Sequence, residues 1–155
     1  MYYSTKTYGH DRGLSCAFRQ PLATHSHCSL IHGYSLAFSF KFAARTLDDK
    51  NWVVDFGGLK QLKEWLEKQF DHTLAVDKDD PKIKELMELQ DKGLADVRIM
   101  NGVGCEMFAE QAFYFADDLI NKMTDGRCRC VSAECREHGA NSGIYEMEIL
   151  EVGVK

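Results

Sequence analysis

Three of the chain's six histidines and one of its six cysteines fall within ten residues, His25-Ser26-His27-Cys28-Ser29-Leu30-Ile31-His32-Gly33-Tyr34. Imidazole and thiol are the side chains best suited to bind zinc or to move protons near neutral pH. A free cysteine is usually a small buried hydrophobe. Cys28, however, has His27 beside it and His32 four residues on, which marks it as a functional thiol. The remaining cysteines lack such neighbours. Cys128 and Cys130 lack the two-residue gap of a zinc knuckle, and with Cys16, Cys105 and Cys135 they read as structural. Asp71-His72 sets a carboxylate beside an imidazole, the arrangement of an oriented general base. Such pairs also simply hydrogen-bond at helix ends.

These groups need a scaffold, and the hydrophobic pattern supplies one. Residues 13–19 form a short apolar strand. From Tyr34 the chain alternates: Tyr34, Leu36, Phe38, Phe40 and Phe42 face one way, and Ser35, Ala37, Ser39, Lys41 and Ala43 the other. That is a half-buried strand. After a polar turn over 47–51 and a short extended Trp52-Val53-Val54, Asp55 caps a helix predicted over 56–70, with Leu59, Leu62, Leu66 and Phe70 on one face. Asp80-Pro81 predicts the start of a short helix, Asp80 as cap and Pro81 at its first position. A second long helix is predicted over 105–123, on the stripe Phe108, Ala112, Phe115 and Leu119. Strands over 127–137 and 143–152, joined by a loop at 138–142, complete the chain. Two strands, helices and two strands predict an α+β fold, an antiparallel sheet with helices on one face.

Composition narrows the class. A chain of 155 residues, 45% hydrophobic and 28% charged, suits one soluble globular domain. There is no internal repeat or low-complexity linker, and no run long enough to span a membrane. The opening Met1-Tyr2-Tyr3-Ser4-Thr5-Lys6 lacks the apolar core of a signal peptide, so a cytoplasmic location with reduced thiols is expected. The net charge of −5 argues against nucleic acid as the main partner.

Four motifs in order resemble the 6-pyruvoyl/6-carboxytetrahydropterin synthase family: Cys28-x-x-x-His32-Gly33; Trp52-Val53-Val54-Asp55-Phe56-Gly57-Gly58-Leu59-Lys60; Phe70-Asp71-His72; and Glu137 followed by Tyr145. The similarity runs from about residue 14 to 147 and skips about 25 residues after His72, where this chain carries extra sequence. The resemblance implies a T-fold: a four-stranded antiparallel sheet with two long helices on one face, assembled as trimers or hexamers with active sites between subunits. It implies a pterin triphosphate substrate, 7,8-dihydroneopterin triphosphate, converted to 6-carboxytetrahydropterin on the way to 7-deazaguanines such as queuosine, or to the pyruvoyl product in the related animal activity.

The same resemblance assigns roles. Cys28 falls on the proton-abstracting cysteine. Asp71 and His72 fall on the pair that completes the catalytic set from a neighbouring subunit. Glu137 falls on the glutamate that anchors the pterin, where a carboxylate can accept from the 2-amino group and a ring N–H together. Glu106 falls near the glutamate at the start of the second helix, where backbone N–H groups also face the ligand. A triphosphate needs cations, and Arg12, Arg19, Lys41, Arg127, Arg129 and Arg136 lie on or near strands.

The metal positions depart from the family. There, Zn2+ is held by one histidine at the end of the first strand and by a His-x-His on the second, whose alternate residues share a face. Here His32 is present, but Phe18 and Tyr34 occupy the other two positions. A relocated site of His27 and His32, with Cys28 or another histidine, has suitable ligand types. The alternatives are a metal-free site in which the histidines do acid–base work, a non-catalytic pterin- or purine-binding protein, or a structural zinc clamp of His25, His27, Cys28 and His32.

Overall fold

The computed structural model describes residues 1–154. Its hub is strand β3 (His32–Ala44). One edge of β3 carries two strands in succession: β2 (Leu14–Phe18) pairs with its first half and β1 (Tyr2–Tyr8) with its second, both antiparallel. The other edge pairs with β6 (Cys128–His138), which pairs in turn with β7 (Asn141–Glu146). Outside β2 lie two parallel strands, β4 (Thr73–Asp77) and β5 (Val97–Met100). The sheet therefore has seven strands rather than four, and it is mixed rather than purely antiparallel.

Helix α1 (Lys60–Phe70) follows β3, and α3 (Cys105–Met123) joins β5 to β6. Leu62, Leu66 and Phe70 of α1 and Phe108, Ala112, Phe113, Ala116 and Ile120 of α3 are buried in one core with Phe38, Phe40 and Phe42 of β3. Phe70 bridges the layers, its ring 4.9 Å from Phe38 and 5.1 Å from Phe108. Burial of such rings, worth about 2–3 kcal/mol each, fixes both helices on the sheet. Arg129 of β6 adds a polar tie, donating from Nε to Asp117 of α3 at 2.9 Å.

Two shorter helices join the long pair, the first where Asp80-Pro81 predicts one and the second where a strand is predicted. Between β4 and β5 runs α2 (Ile83–Asp91), which buries Leu86 against Leu74, Val76 and Val97 in a small core of its own. Its regular turns start at Ile83 rather than Pro81, yet the Asp80 carboxylate still caps the entry by accepting the Lys82 N–H at 2.8 Å. The final strand is shorter than the alternation suggests. β7 ends at Glu146, and α4 (Ile149–Val152) follows, closed by a reciprocal capping box between Glu148 and Glu151. Before α1, Phe56–Leu59 form a 3-10 turn capped by Asp55, which accepts the Gly57 N–H at 2.9 Å.

Candidate active site

The antiparallel pairing of β2 with β3 sets Phe18 opposite His32. The connection between them is a loop that carries Cys28 on a 3-10 turn, His27–Ser29. Ser26 caps that turn, its Oγ accepting the Cys28 N–H at 3.1 Å. Gln20 N–H then holds the Cys28 carbonyl at 2.7 Å. These bonds place Cys28, the one exposed cysteine, at a cavity of about 160 Å3.

The opposite wall comes from α3, β6 and β7. Gly143 of β7 lies against the start of α3, where an added Cβ would sit 2.8 Å from Glu106 Cα. Only glycine allows that approach, which brings Cys105 and Glu106 to the cavity beside Glu137 of β6. Glu137 Oε1 accepts from Asn141 Nδ2 at 3.0 Å. Cys28, His32, Glu106 and Glu137, drawn from distant parts of the sequence, therefore line one pocket.

Local fields differ across this pocket. Burial pushes the Tyr34 phenol up, and the nearby Glu137 carboxylate and Cys28 thiol push it further the same way, so Tyr34 stays protonated at neutral pH. A hydrogen bond from the Cys135 thiol draws the Cys105 thiol down, against its own burial. Cys105 is thus a second pocket thiol, and the sequence reading takes it as structural. Its place beside Glu106, at the first turn of a long helix, was the available signal. Gln20 also borders the pocket and carries no motif that marks it.

The three zinc-cage positions do converge, but as a hydrophobic cluster. Phe18 lies 5.3 Å from His32 and 6.1 Å from Tyr34, ring centre to ring centre, and His32 lies 5.4 Å from Tyr34. His32 Nδ1–H donates to the Leu30 carbonyl at 2.7 Å, which leaves Nε2 as its one free nitrogen. One imidazole among three positions does not make a tetrahedral zinc site. His27 is exposed and does not line the pocket, and no group of three His, Cys, Asp or Glu able to hold a metal occurs among the described residues. Neither the relocated site nor the four-residue clamp is therefore assembled, and the residues present do not fit zinc.

Asp71 and His72 lie outside this pocket's lining. His72 Nδ1–H donates to Asp71 Oδ1 at 2.7 Å, and Ser15 N–H approaches the same oxygen at 3.4 Å. The imidazole points outward, 85% exposed, from a backbone held at φ 56°. That left-handed conformation is uncommon for a residue with a side chain.

Five of the six candidate phosphate cations are otherwise engaged, and the sixth, Arg12, lines a different groove. Arg19 grips Asp80, Arg129 grips Asp117 and Arg136 grips Glu134, while Arg127 donates to the Thr46 and Val53 carbonyls. The Lys41 ammonium sits 4.3 Å over the Tyr3 ring. Among the described residues, no Lys or Arg lines the pocket. Three larger grooves, about 400, 480 and 240 Å3, lie along Tyr2, Trp52 and Phe56, along Val131 and Met147, and along the cations Lys6, Arg12, Lys60 and Lys63. None of the three gathers a cysteine or histidine, so the smaller cavity is the candidate site.

The chain is an α+β core with two long helices packed on a mixed, mostly antiparallel sheet, and it gathers a thiol, an imidazole and two carboxylates at one cavity. The model of the 6-pyruvoyl tetrahydropterin synthase family matches residues 10–148, and the chain belongs to that family. It is similar to the 6-carboxy-5,6,7,8-tetrahydropterin synthase of Bacillus subtilis, 33% identical over 135 residues, covering 87% of this chain and 81% of that protein. To the protein of the same name from Aquifex aeolicus it is 25% identical over 146 residues, covering 92% and 86%. The match to the Rickettsia conorii protein of that name, 34% identical over 62 residues, spans 39% of this chain and 45% of the relative, less than half its length. Among solved structures, an uncharacterized protein from Wolinella succinogenes superposes with a TM-score of 0.77 at 17% identity, covering 95% of this chain and 98% of that one. Plasmodium vivax 6-pyruvoyltetrahydropterin synthase superposes at 0.67 with 13% identity, covering 96% and 100%. These likenesses establish the fold. No helix among the described residues is long and apolar enough to cross a membrane.

Proposed function

We propose that this chain is a lyase of the tetrahydropterin synthase type, acting on 7,8-dihydroneopterin triphosphate or a closely related pterin. The observation that carries the reading is the shared pocket of Cys28, His32, Glu106 and Glu137, each at its motif position. Glu137 accepts from the 2-amino group and a ring N–H of the pterin. Cys28, as thiolate, removes a proton from the substrate's carbon side chain, and His72, oriented by Asp71, returns one. His32, with Nε2 free, supplies a further proton acceptor. No step is routed through zinc, since the cage positions offer one imidazole.

The site is read as completed by a second copy of the chain in a trimer or hexamer. The cavity of about 160 Å3 falls short of the ~300 Å3 at which ordinary ligand pockets begin. The Asp71–His72 pair faces outward, and the cations for a triphosphate must come from beyond this lining. The cytosol, where thiols stay reduced, suits six cysteines that form no disulfide. The 7-deazaguanine route is the pathway this reading favours.

The test is incubation of the purified protein with 7,8-dihydroneopterin triphosphate, with and without added zinc. Product formation that Cys28→Ala abolishes is the expected result. No product at any zinc load, with Cys28→Ala making no difference on related pterins, overturns the reading. Phe18 and Tyr34 favour a second reading, a pterin- or purine-binding protein without catalysis. Pterin fluorescence that titrates normally in the absence of turnover, and is lost in Glu137→Ala, selects it.

A further inference from the structure

The loop bearing Cys28 is held by Arg19, and Arg19 is held in turn by Asp80 of the segment between β4 and β5. Arg19, the residue after β2, presents its guanidinium to two partners. Nε and Nη2 form a fork on the Asp80 carboxylate at 2.8 and 3.1 Å, and Nη1 donates to the Ser29 carbonyl at 3.1 Å. The neighbouring Gln20 N–H holds the Cys28 carbonyl. Two consecutive residues thus hold two consecutive carbonyls, those of Cys28 and Ser29.

Asp80 is 2% exposed, and its carboxylate also caps the entry to α2 through the Lys82 N–H. Burial alone would push this carboxyl up. The Arg19 fork and the Lys82 amide outweigh it and hold the group below the usual carboxylate range. A planar guanidinium can meet a carboxylate bidentately and still offer a third N–H at a fixed angle. An ammonium cannot reproduce that geometry. The β4–α2–β5 unit, with its own core of Leu74, Val76, Leu86 and Val97, anchors the clamp.

We propose that Arg19 and Asp80 are positioning residues for Cys28: the β4–α2–β5 unit, acting through Arg19, fixes the thiol-bearing turn at the pocket. The catalytic consequence rests on the tetrahydropterin synthase reading; the structural consequence does not.

The experiment uses the full chain and two variants. Asp80→Asn keeps the shape and an acceptor for the Lys82 N–H but removes the charge. Arg19→Lys keeps a cation beside Asp80 but loses the fork and the Ser29 contact. Amide hydrogen exchange is followed over residues 20–31 and, as reference, over β6, together with kcat and KM on the pterin substrate. Exchange over 20–31 at least tenfold faster in either folded variant, with β6 unchanged, supports the clamp; kcat then falls about tenfold while KM stays within twofold. Exchange over 20–31 within twofold of wild type in a variant that keeps β6 protection overturns it. So does a rise that is uniform across loop and core, which marks general stability alone. Wild type that turns over no pterin while its loop exchange responds as described leaves the clamp standing and removes only the enzyme reading. Should one variant fail to fold, the other decides.

Discussion

Cys28 and His72 carry the two halves of the proposed chemistry, and their settings differ. Cys28 sits on a short capped turn at a pocket; His72 juts from a backbone with φ 56°. A left-handed non-glycine residue costs on the order of 1 kcal/mol. His72→Gly is therefore expected to raise the melting temperature or leave it unchanged, while turnover disappears; a loss of stability would contradict the strain argument. The Phe18, His32 and Tyr34 cluster makes a second residue-scale prediction. Because the three rings already converge, Phe18→His with Tyr34→His should gain about one tightly bound zinc per chain, as four-coordinate sites built on three histidines do. Metal analysis after dialysis checks it, and no gain over wild type would show that the cage geometry is lost. The meeting of Cys28, His32, Glu106 and Glu137 was legible in the sequence through motif order. Cys105 was not, because five cysteines without a neighbouring histidine look alike until a fold shows which one borders a cavity.

At the scale of elements, the longest ones were the most legible. The strand through Phe38, Phe40 and Phe42 and the helix through Phe108, Ala112 and Leu119 have long, clear periods, and both stand where those periods put them. β4 and β5 are five- and four-residue runs that periodicity cannot tell from loop or helix. β1, Tyr2–Tyr8, mixes aromatic and hydroxyl residues with a free outer edge and shows no buried alternation. The β4–α2–β5 unit also makes an acid-stability prediction. Asp80 is held below its ordinary pKa in the folded chain, so the unfolded state binds a proton there first as pH falls. Its contribution is complete above the unfolded carboxyl's value of about 3.9 and is lost as pH drops through the lower folded value. Asp80→Asn should flatten stability against pH in that acid window, as seen by urea melts at stepped pH. An unchanged acid limb would remove Asp80 from the account.

At the scale of the whole molecule, the proposed site is incomplete in one chain. The pocket holds a thiol, an imidazole and two carboxylates, and the Asp71–His72 pair lies outside its lining. Among the described residues, β1 and β7 each leave an outer edge unpaired, as strands do that join another sheet. Nothing in the sequence's hydrophobic pattern separates a residue facing solvent from one facing a second copy, so the proposed assembly is read from family resemblance. The central claim is that Cys28 of one copy and His72 of another act on one substrate. Its most direct test mixes Cys28→Ala chains with His72→Ala chains, unfolds and refolds them together, and measures turnover of 7,8-dihydroneopterin triphosphate. Each variant alone is expected to be inactive, and the mixed assembly to recover about a quarter of wild-type turnover, the random-pairing fraction for sites shared between subunits. A mixture as inactive as its parents, from chains that do co-assemble, would contradict the claim.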